Sequence, residues 1–380
     1  MAPRTRVGVI GCGLIAQVMH LPYLAELSDR FEVAALCDVS EDVLASCQER
    51  YGVPRAVTDW RALVAEPLDA VLVLTSGNHA PMAVAAAEAG LHVFVEKPMA
   101  ISASEGARMV AAARSADVRL MVGTMKRYDP AYERLVELLP TLTDVRLVRA
   151  TTLESPLEPY VGHYPLVRPR APVADPGLRA AQDEDERHLD GALGREADAE
   201  TRWCYRYVLL DNLVHELNML RGALGEPTEV TFARLERQRA AINLSFGATD
   251  CHLSWVDLPG IARYRQELGF YAPNGRLVLT LPSPFLRSAP SHLTIEGGEP
   301  GGPHAWERDE VVSFEEAFKR ELIAFHEAIV FGVEPRTSGL DGLRDLHLCE
   351  AIARVHLGGA PVANPTTLTA AVAAAGGDTA

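Results

Sequence analysis

The sequence predicts an α/β protein: a doubly wound parallel sheet first, then an α+β domain built on a mostly antiparallel open sheet. Three observations predict it. Short apolar segments alternate with helical stretches through the first third of the chain. A glycine-rich turn joins the first strand to the first helix. Beyond Gly225, strand-like segments follow in series with polar and apolar residues alternating, as in a sheet with one covered face. The 380 residues are enough for two domains with separate cores. Apolar residues at 48% and charged residues at 23% exclude a wholly disordered or coiled-coil chain.

The elements read in order. Residues 6–10 form a strand, followed by the glycine turn and an apolar helix to about residue 27. Residues 32–38 are a second strand, and 41–51 a helix with Ser40 as N-cap. The β-branched and leucine run 70–74 suits a strand buried on both faces. An alanine-rich helix over 82–89 ends at Gly90. Strand 92–96, helix 102–115 and strand 120–122 continue the alternation. The rhythm changes after Thr124, so residues 1–125 are expected to form the first domain and 126–360 the second. Residues 130–139 look helical and 145–153 extended. Residues 156–200 are rich in Pro, Arg, Asp and Glu with little apolar periodicity, and so read as a lid or a mobile insertion. An amphipathic helix over 209–224 is closed by Gly225. Strands are expected at 228–236, 240–246, 250–256, 263–271 and 276–281, with Asn274-Gly275 as a hairpin turn. Helices follow at 315–331 and 340–357, and 361–380 is a low-complexity flexible tail.

A net charge of −15 repels phosphate backbones, so no nucleic-acid partner is expected. Cys12, Cys37, Cys47, Cys204, Cys251 and Cys349 form no CxxC pair and match no zinc spacing. In so large a chain they point to a reducing cytoplasm rather than a disulfide framework. Arg4 and Arg6 before an apolar run imitate a signal peptide, but Gly8, Gly11 and Gly13 break the run and no cleavage site follows. No uncharged apolar stretch approaches about 20 residues, so no membrane partner is expected.

Gly11-Cys12-Gly13-Leu14-Ile15-Ala16 has the G-x-G-x-x-G/A form between strand and helix. Glycines are needed there because a β-carbon blocks close approach of backbone to a pyrophosphate. The helix N-terminus then supplies N–H groups to the phosphates. Asp38 closes the second strand, where an acid hydrogen-bonds the adenosine ribose hydroxyls. The bland reading is a structural βα turn beside an unrelated acid. A carboxylate there repels a 2′-phosphate, so NAD is expected, and NADP only if a cation such as Arg55 arrives from elsewhere.

His92-Val93-Phe94-Val95-Glu96-Lys97-Pro98 puts two charges and a proline at the C-terminal end of a strand, where ligands bind in open α/β sheets. A partly desolvated lysine there can donate or accept a proton. The alternative is a Glu–Lys surface pair. Pro98 is a candidate for a cis bond that aims the lysine. Asp211 and His215, at i and i+4, share a helical face and could bind and deprotonate a hydroxyl. The alternative is a helix-stabilising charge pair. No third ligand is evident, so no metal is expected. In Lys126-Arg127-Tyr128-Asp129-Pro130 a cation could face the interdomain cleft, or the run could be a charged linker. Tyr132 reads as helix packing.

Together and in this order, these pieces resemble the Gfo/Idh/MocA family of oxidoreductases over about residues 5–360. Gly90 to Pro98 matches the family's G-x-H-V-x-x-E-K-P signature, and 122–132 its segment ending in R-x-D-P. Asp211 and His215 match the polar members of its D-x-G-x-H motif. The resemblance implies Lys97 as catalytic lysine, with Asp211 and His215 in the substrate site, His215 the proton acceptor and Arg127 a substrate contact. It implies cofactor contacts from Gly11, Gly13, Leu14, Ile15, Ala16, Asp38, Thr75, Ser76, Asn78, His79, Glu96, Lys97 and Pro98. It further implies hydride transfer to or from a secondary alcohol of a sugar, glycoside or cyclitol, and a homodimer or homotetramer through the second domain's sheet. Other readings are reduction of a non-sugar ketone or imine, and a nonenzymatic NAD-binding regulator. Departures from the family bear on the substrate: Thr75-Ser76 replaces Thr-Pro, Leu213 replaces the motif glycine, Asn218 stands where aspartate is common, and the segment 156–200 is longer than in simple members.

Overall fold

The computed structural model describes residues 4–170 and 176–368. The first sheet is parallel and runs β3-β2-β1-β4-β5-β6. This is the doubly wound order, with its switch point between β1 and β4. Its elements are β1 (Thr5–Ile10), α1 (Leu21–Glu26), β2 (Phe31–Cys37), α2 (Glu41–Tyr51), β3 (Arg55–Val57) and α3 (Trp60–Val64). They continue with β4 (Ala70–Val73), α4 (Ala80–Glu88), β5 (His92–Glu96), α5 (Ala103–Ser115) and β6 (Leu120–Gly123). All four residues of β4 are buried, because helices cover both faces of the sheet. Ser40 caps α2 as expected, its hydroxyl accepting from Val43 N. The helix after the glycine turn contains a π segment, Ala16–His20, before α1.

The second sheet has nine strands in the order β14-β13-β12-β11-β7-β10-β9-β8-β15. Among these, β7 (Leu147–Glu154) and β10 (Thr249–Asp257) pair in parallel, and the other pairs are antiparallel. Helix α6 (Pro130–Leu138) precedes β7, and α7 (Glu158–Val161), α8 (Pro176–Leu193), α9 (Ala199–Trp203) and α10 (Val214–Leu224) lie between β7 and β8. The other strands are β8 (Glu229–Glu236), β9 (Arg239–Phe246), β11 (Arg265–Ala272), β12 (Gly275–Leu281), β13 (His292–Gly298), β14 (Ala305–Val311) and β15 (Val362–Ala363). Two helices, α11 (Ala317–Phe331) and α12 (Gly339–His356), return the chain to the first domain. There α11 packs on α1, and α12 on α5 and β8. We propose the boundary near Thr124, where the first sheet ends, with α11 and α12 bridging both units.

Several expectations are corrected. Among its described residues the stretch 156–200 carries α7, α8 and the start of α9. Its apolar signal is thin: among the described side chains of α8, Leu189 and Leu193, one turn apart, are buried, against α12. The amphipathic helix begins at Ala199 rather than 209, and Cys204–Leu213 is π-helical. An i→i+5 turn shifts the buried positions off the 3.6 period, which hid the earlier start. The β11–β12 loop is Pro273-Asn274, since Ala272 faces Gly275 across the ladder. Strands β13, β14 and β15 were not anticipated; β14 is exposed along nearly its whole length and has no apolar face to read. The tail is held to the sheet edge by β15 and by Asn364 N donating to Thr228 O at 2.8 Å. Residues 369–380 of the expected tail lie outside the described residues. Among described residues no helix is long and apolar enough to cross a membrane, and the six cysteines are buried free thiols.

Candidate active site

Gly11 has φ +95°, and a Cβ there would lie 2.7 Å from Thr75 N, so only glycine fits. A Cβ on Gly13 would meet nothing within 4 Å: the space above it is open, as a phosphate cradle requires. Leu14 and Ile15 are half-buried beside it and Ala16 is buried. The Asp38 carboxylate accepts Cys12 N at 2.7 Å and Ser40 N at 2.8 Å. Each oxygen therefore keeps acceptor capacity for a ribose hydroxyl. Arg55 is paired with Glu66 at 2.8 Å, which occupies the cation named as able to favour NADP. These residues fit a dinucleotide with an unphosphorylated ribose.

The rim of the cradle is tied down by a segment of the expected insertion. Gln17 Nε2 donates to Val167 O and Val167 N to Gln17 Oε1, both at 2.9 Å, while Gln17 also donates to Cys12 O at 2.8 Å. Arg50 donates to Pro165 O at 3.3 Å. Residues 165–167 thus pack on the nucleotide turn.

The loop after β4 holds Thr75, Ser76, Asn78 and His79. Ser76 is exposed and Thr75 half-buried. The buried His79 ring bridges Pro98 O at 2.8 Å and Thr75 O at 2.7 Å, tying this loop to the exit of β5. Asn78 turns inward: it donates to Glu105 Oε1 at 2.5 Å and accepts Ala80 N at 2.9 Å. The Asn78 and His79 side chains thus make these hydrogen bonds within the protein. Glu96 is likewise buried, on His20 and the Lys97 amide, rather than facing the cleft.

The Lys97–Pro98 bond is cis. Lys97 Nζ crosses to the second domain and donates to Asp211 Oδ1 at 2.7 Å and to Asp211 O at 2.6 Å. An ammonium has three donors, so one remains. His215, one turn beyond Asp211, has a buried Nδ1 without a partner. Burial, then the nearby Lys126 and Lys97 cations, hold its pKa well below the usual histidine value. It is therefore a neutral imidazole, able to accept a proton.

Lys126, not Arg127, faces this group. Its Nζ donates to Gln266 Oε1 at 2.6 Å and to Tyr264 OH at 3.2 Å. Burial lowers its pKa to about 8, with Glu216 and Glu154 opposing the shift. Glu216 in turn accepts from Gln266 Nε2 and Thr152 Oγ1. Arg127, expected as a substrate contact, donates to Asn218 O at 3.1 Å and lies 3.7 Å from Asp341. Tyr132 packs as expected, buried and donating to Met219 O at 2.8 Å. Asn218 donates to Asp341 and Asp345, both at 2.7 Å, where an aspartate would add a third carboxylate. Leu213 is fully buried in the core.

Glu216, Gln266, Tyr264 and Thr152 were missed by the sequence reading. A signal existed for two of them: Thr152 shares strand parity with buried Val148 and Ala150, and Gln266 with buried Leu268 and Phe270. A polar residue at an inward-facing position needs a partner, and often marks a site.

A dinucleotide cradle on one domain and proton-transfer groups on the other meet at one cleft, the layout of a two-domain nicotinamide-dependent oxidoreductase. Residues 5–124 match the family model GFO_IDH_MocA, described as an oxidoreductase family with an NAD-binding Rossmann fold. The chain is a nicotinamide-dependent oxidoreductase. Myo-inositol 2-dehydrogenase of Thermotoga maritima is 27% identical over 354 residues, covering 89% of this chain and 92% of that protein. Inositol 2-dehydrogenase 3 of Saccharopolyspora erythraea is 27% identical over 358 residues, covering 91% of each. In fold, the solved structure of levoglucosan dehydrogenase in complex with NADH and levoglucosan has a TM-score of 0.74 at 18% identity, covering 96% of this chain and 100% of that one.

Proposed function

We propose that the protein transfers a hydride between NAD and a secondary alcohol of a cyclitol, sugar or glycoside. The observation that carries this reading is the Lys97–Asp211 contact across the cleft, with neutral His215 beside it. The names of the two relatives support a cyclitol first. When bound, the nicotinamide supplies hydride exchange at C4. The remaining Lys97 donor hydrogen-bonds the substrate hydroxyl, and Asp211 keeps the ammonium charged and aimed. His215 takes the hydroxyl proton during oxidation and returns it during reduction. Lys126, Gln266 and Glu216 offer donors and acceptors to further hydroxyls, so a polyhydroxylated ring suits the pocket. Positioning accounts for the rate. The decisive assay follows reduced-nicotinamide absorbance with NAD and a panel of cyclitols, sugars and glycosides. A signal dependent on Lys97 supports the reading; silence across the panel with NAD bound removes this substrate class. The same reading includes a homodimer or homotetramer through the second sheet, which exposes Phe232 and Trp306.

Two further outcomes are expected. Asp38→Ala weakens NAD binding more than NADP binding, because only the unphosphorylated ribose uses the carboxylate. Titration of protein fluorescence with each dinucleotide checks it, and equal losses would show that Asp38 only supports the turn. Lys126→Met raises the substrate KM with little change in NAD affinity. In the native protein KM rises as pH passes about 8, where Lys126 loses its proton and its charge. The Met variant lacks that limb; if it keeps the limb, another group is titrating.

A further inference from the structure

Beneath Lys97 lies a buried cluster that the proposed mechanism does not use. His20 comes from the end of the π segment after the glycine turn, Glu96 from the end of β5, and Glu321 from α11. Each brings one polar atom within 4.8 Å of the others, and all three are buried. His20 Nε2 lies 2.6 Å from Glu96 Oε1, and Lys97 N donates to Glu96 Oε2 at 3.1 Å. Both Glu96 oxygens therefore have donors, which suits an ionised carboxylate. Neither Glu321 oxygen has a hydrogen-bond partner, and the residue is fully buried. The walls are aromatic: the His20 ring sits edge-on to Phe94 at 5.4 Å and to Phe318 at 5.6 Å.

Two ionised carboxylates in an apolar pocket with one imidazole are not tolerated, and one takes a proton. Glu96 is already served by two donors, so the proton falls to Glu321. Burial first, and then the Glu96 charge, raise the Glu321 pKa in the same sense. A protonated acid is the one form of Glu321 that can donate toward Glu96. The cluster thereby links α11, on the far side of the second domain's sequence, to the amide of the lysine that reaches Asp211.

We infer that Glu321 is a positioning residue for Lys97, a permanently protonated acid that, with His20, holds the Glu96 carboxylate under the Lys97 backbone amide. The inference rests on Lys97 acting in proton transfer as proposed above. Glu321→Gln keeps shape and a donor; Glu321→Leu keeps the volume and loses the donor. Infrared difference spectra in D2O, native against Glu321→Gln, are expected to show the carbonyl band of a protonated carboxylic acid at neutral pH, lost in the variant. Glu321→Gln is expected to retain turnover. Glu321→Leu, checked for native circular dichroism, loses about 10- to 100-fold in kcat with substrate KM and NADH affinity little changed, as for a reacting group displaced by a fraction of an ångström. Absence of the band shows an ionised Glu321 and overturns the inference. So does full turnover in the Leu variant, or equal loss in Gln and Leu. A divalent metal carried through purification and lost in Glu321→Gln would replace the proton by a cation and overturn it too. The infrared band does not depend on turnover, so failure of the proposed reaction and failure of this cluster are read separately.

Discussion

Lys97→Ala is expected to lower turnover by about 10²- to 10⁴-fold, the range for loss of a positioned proton-transfer group. NADH is expected to bind the variant still, because the cradle rests on Gly11, Gly13 and the Asp38 carboxylate, none of which touches the Lys97 ammonium. The reason for so large a loss is that Lys97 has two tasks. It is the bridge from the first domain to Asp211, and in the proposed reaction its remaining donor serves the substrate hydroxyl. Lys97→Arg is expected to be nearly as poor. A planar guanidinium cannot place three donors around one nitrogen, as the Asp211 carbonyl, the Asp211 carboxylate and a hydroxyl require. Stopped-flow hydride transfer and NADH fluorescence titration separate chemistry from binding. Unchanged turnover would remove Lys97 from the mechanism.

The second large effect concerns stability. Arg221 is buried in α10, 2.6 Å from Asp345, 3.1 Å from Asp341 and 2.7 Å from Glu226. Arg221→Met is expected to destabilise the fold by about 3–5 kcal/mol, the loss on stripping one partner from a buried ion pair. The effect carries a sign in pH. Burial raises the Asp345 pKa to about 7, with Arg221 opposing that rise, so removing Arg221 pushes it further up. A carboxyl whose folded pKa exceeds its unfolded value contributes stability at low pH that is lost as pH rises through the folded pKa. The defect of Arg221→Met is therefore smaller near pH 5.5 than near pH 8, and Asp345→Asn recovers part of it. Urea melts of the three proteins at both pH values check this; an equal loss at both would show that Asp345 is not the stranded group.

Arg127 and Lys126 show where the sequence stops being readable. The motif marks both cations as near the cleft, and adjacency gives no means of choosing between them. Packing chooses: α12 places Asp341 beside Arg127, while β11 and the residue just before it place Gln266 and Tyr264 beside Lys126. A planar guanidinium matches the Asn218 and Asp341 acceptors, and a compact ammonium fits the closed pocket. Asn78 and His79 follow the same logic. Both flank the site in sequence, but their polar atoms are captured by Glu105 and by the Thr75 and Pro98 carbonyls.

Local chemistry is legible where the physics is local. The glycine turn, the acid ending β2, the capped helices and the alternating strands each follow from backbone sterics and from short-range periodicity, and these define the two-sheet architecture. Lys97 stands out as a charge where an apolar strand ends, and Asp211 and His215 as an i,i+4 pair on one helical face. What only the tertiary structure decided are the partnerships between residues far apart in the chain. Lys97 meets Asp211 from 114 positions away, and Lys126 meets Gln266 from 140. Desolvation, which makes His215 neutral and brings Lys126 near neutrality, is a property of everything packed around a group. No stretch of sequence carries it, because burial is settled only once the second sheet and the returning helices close over the site.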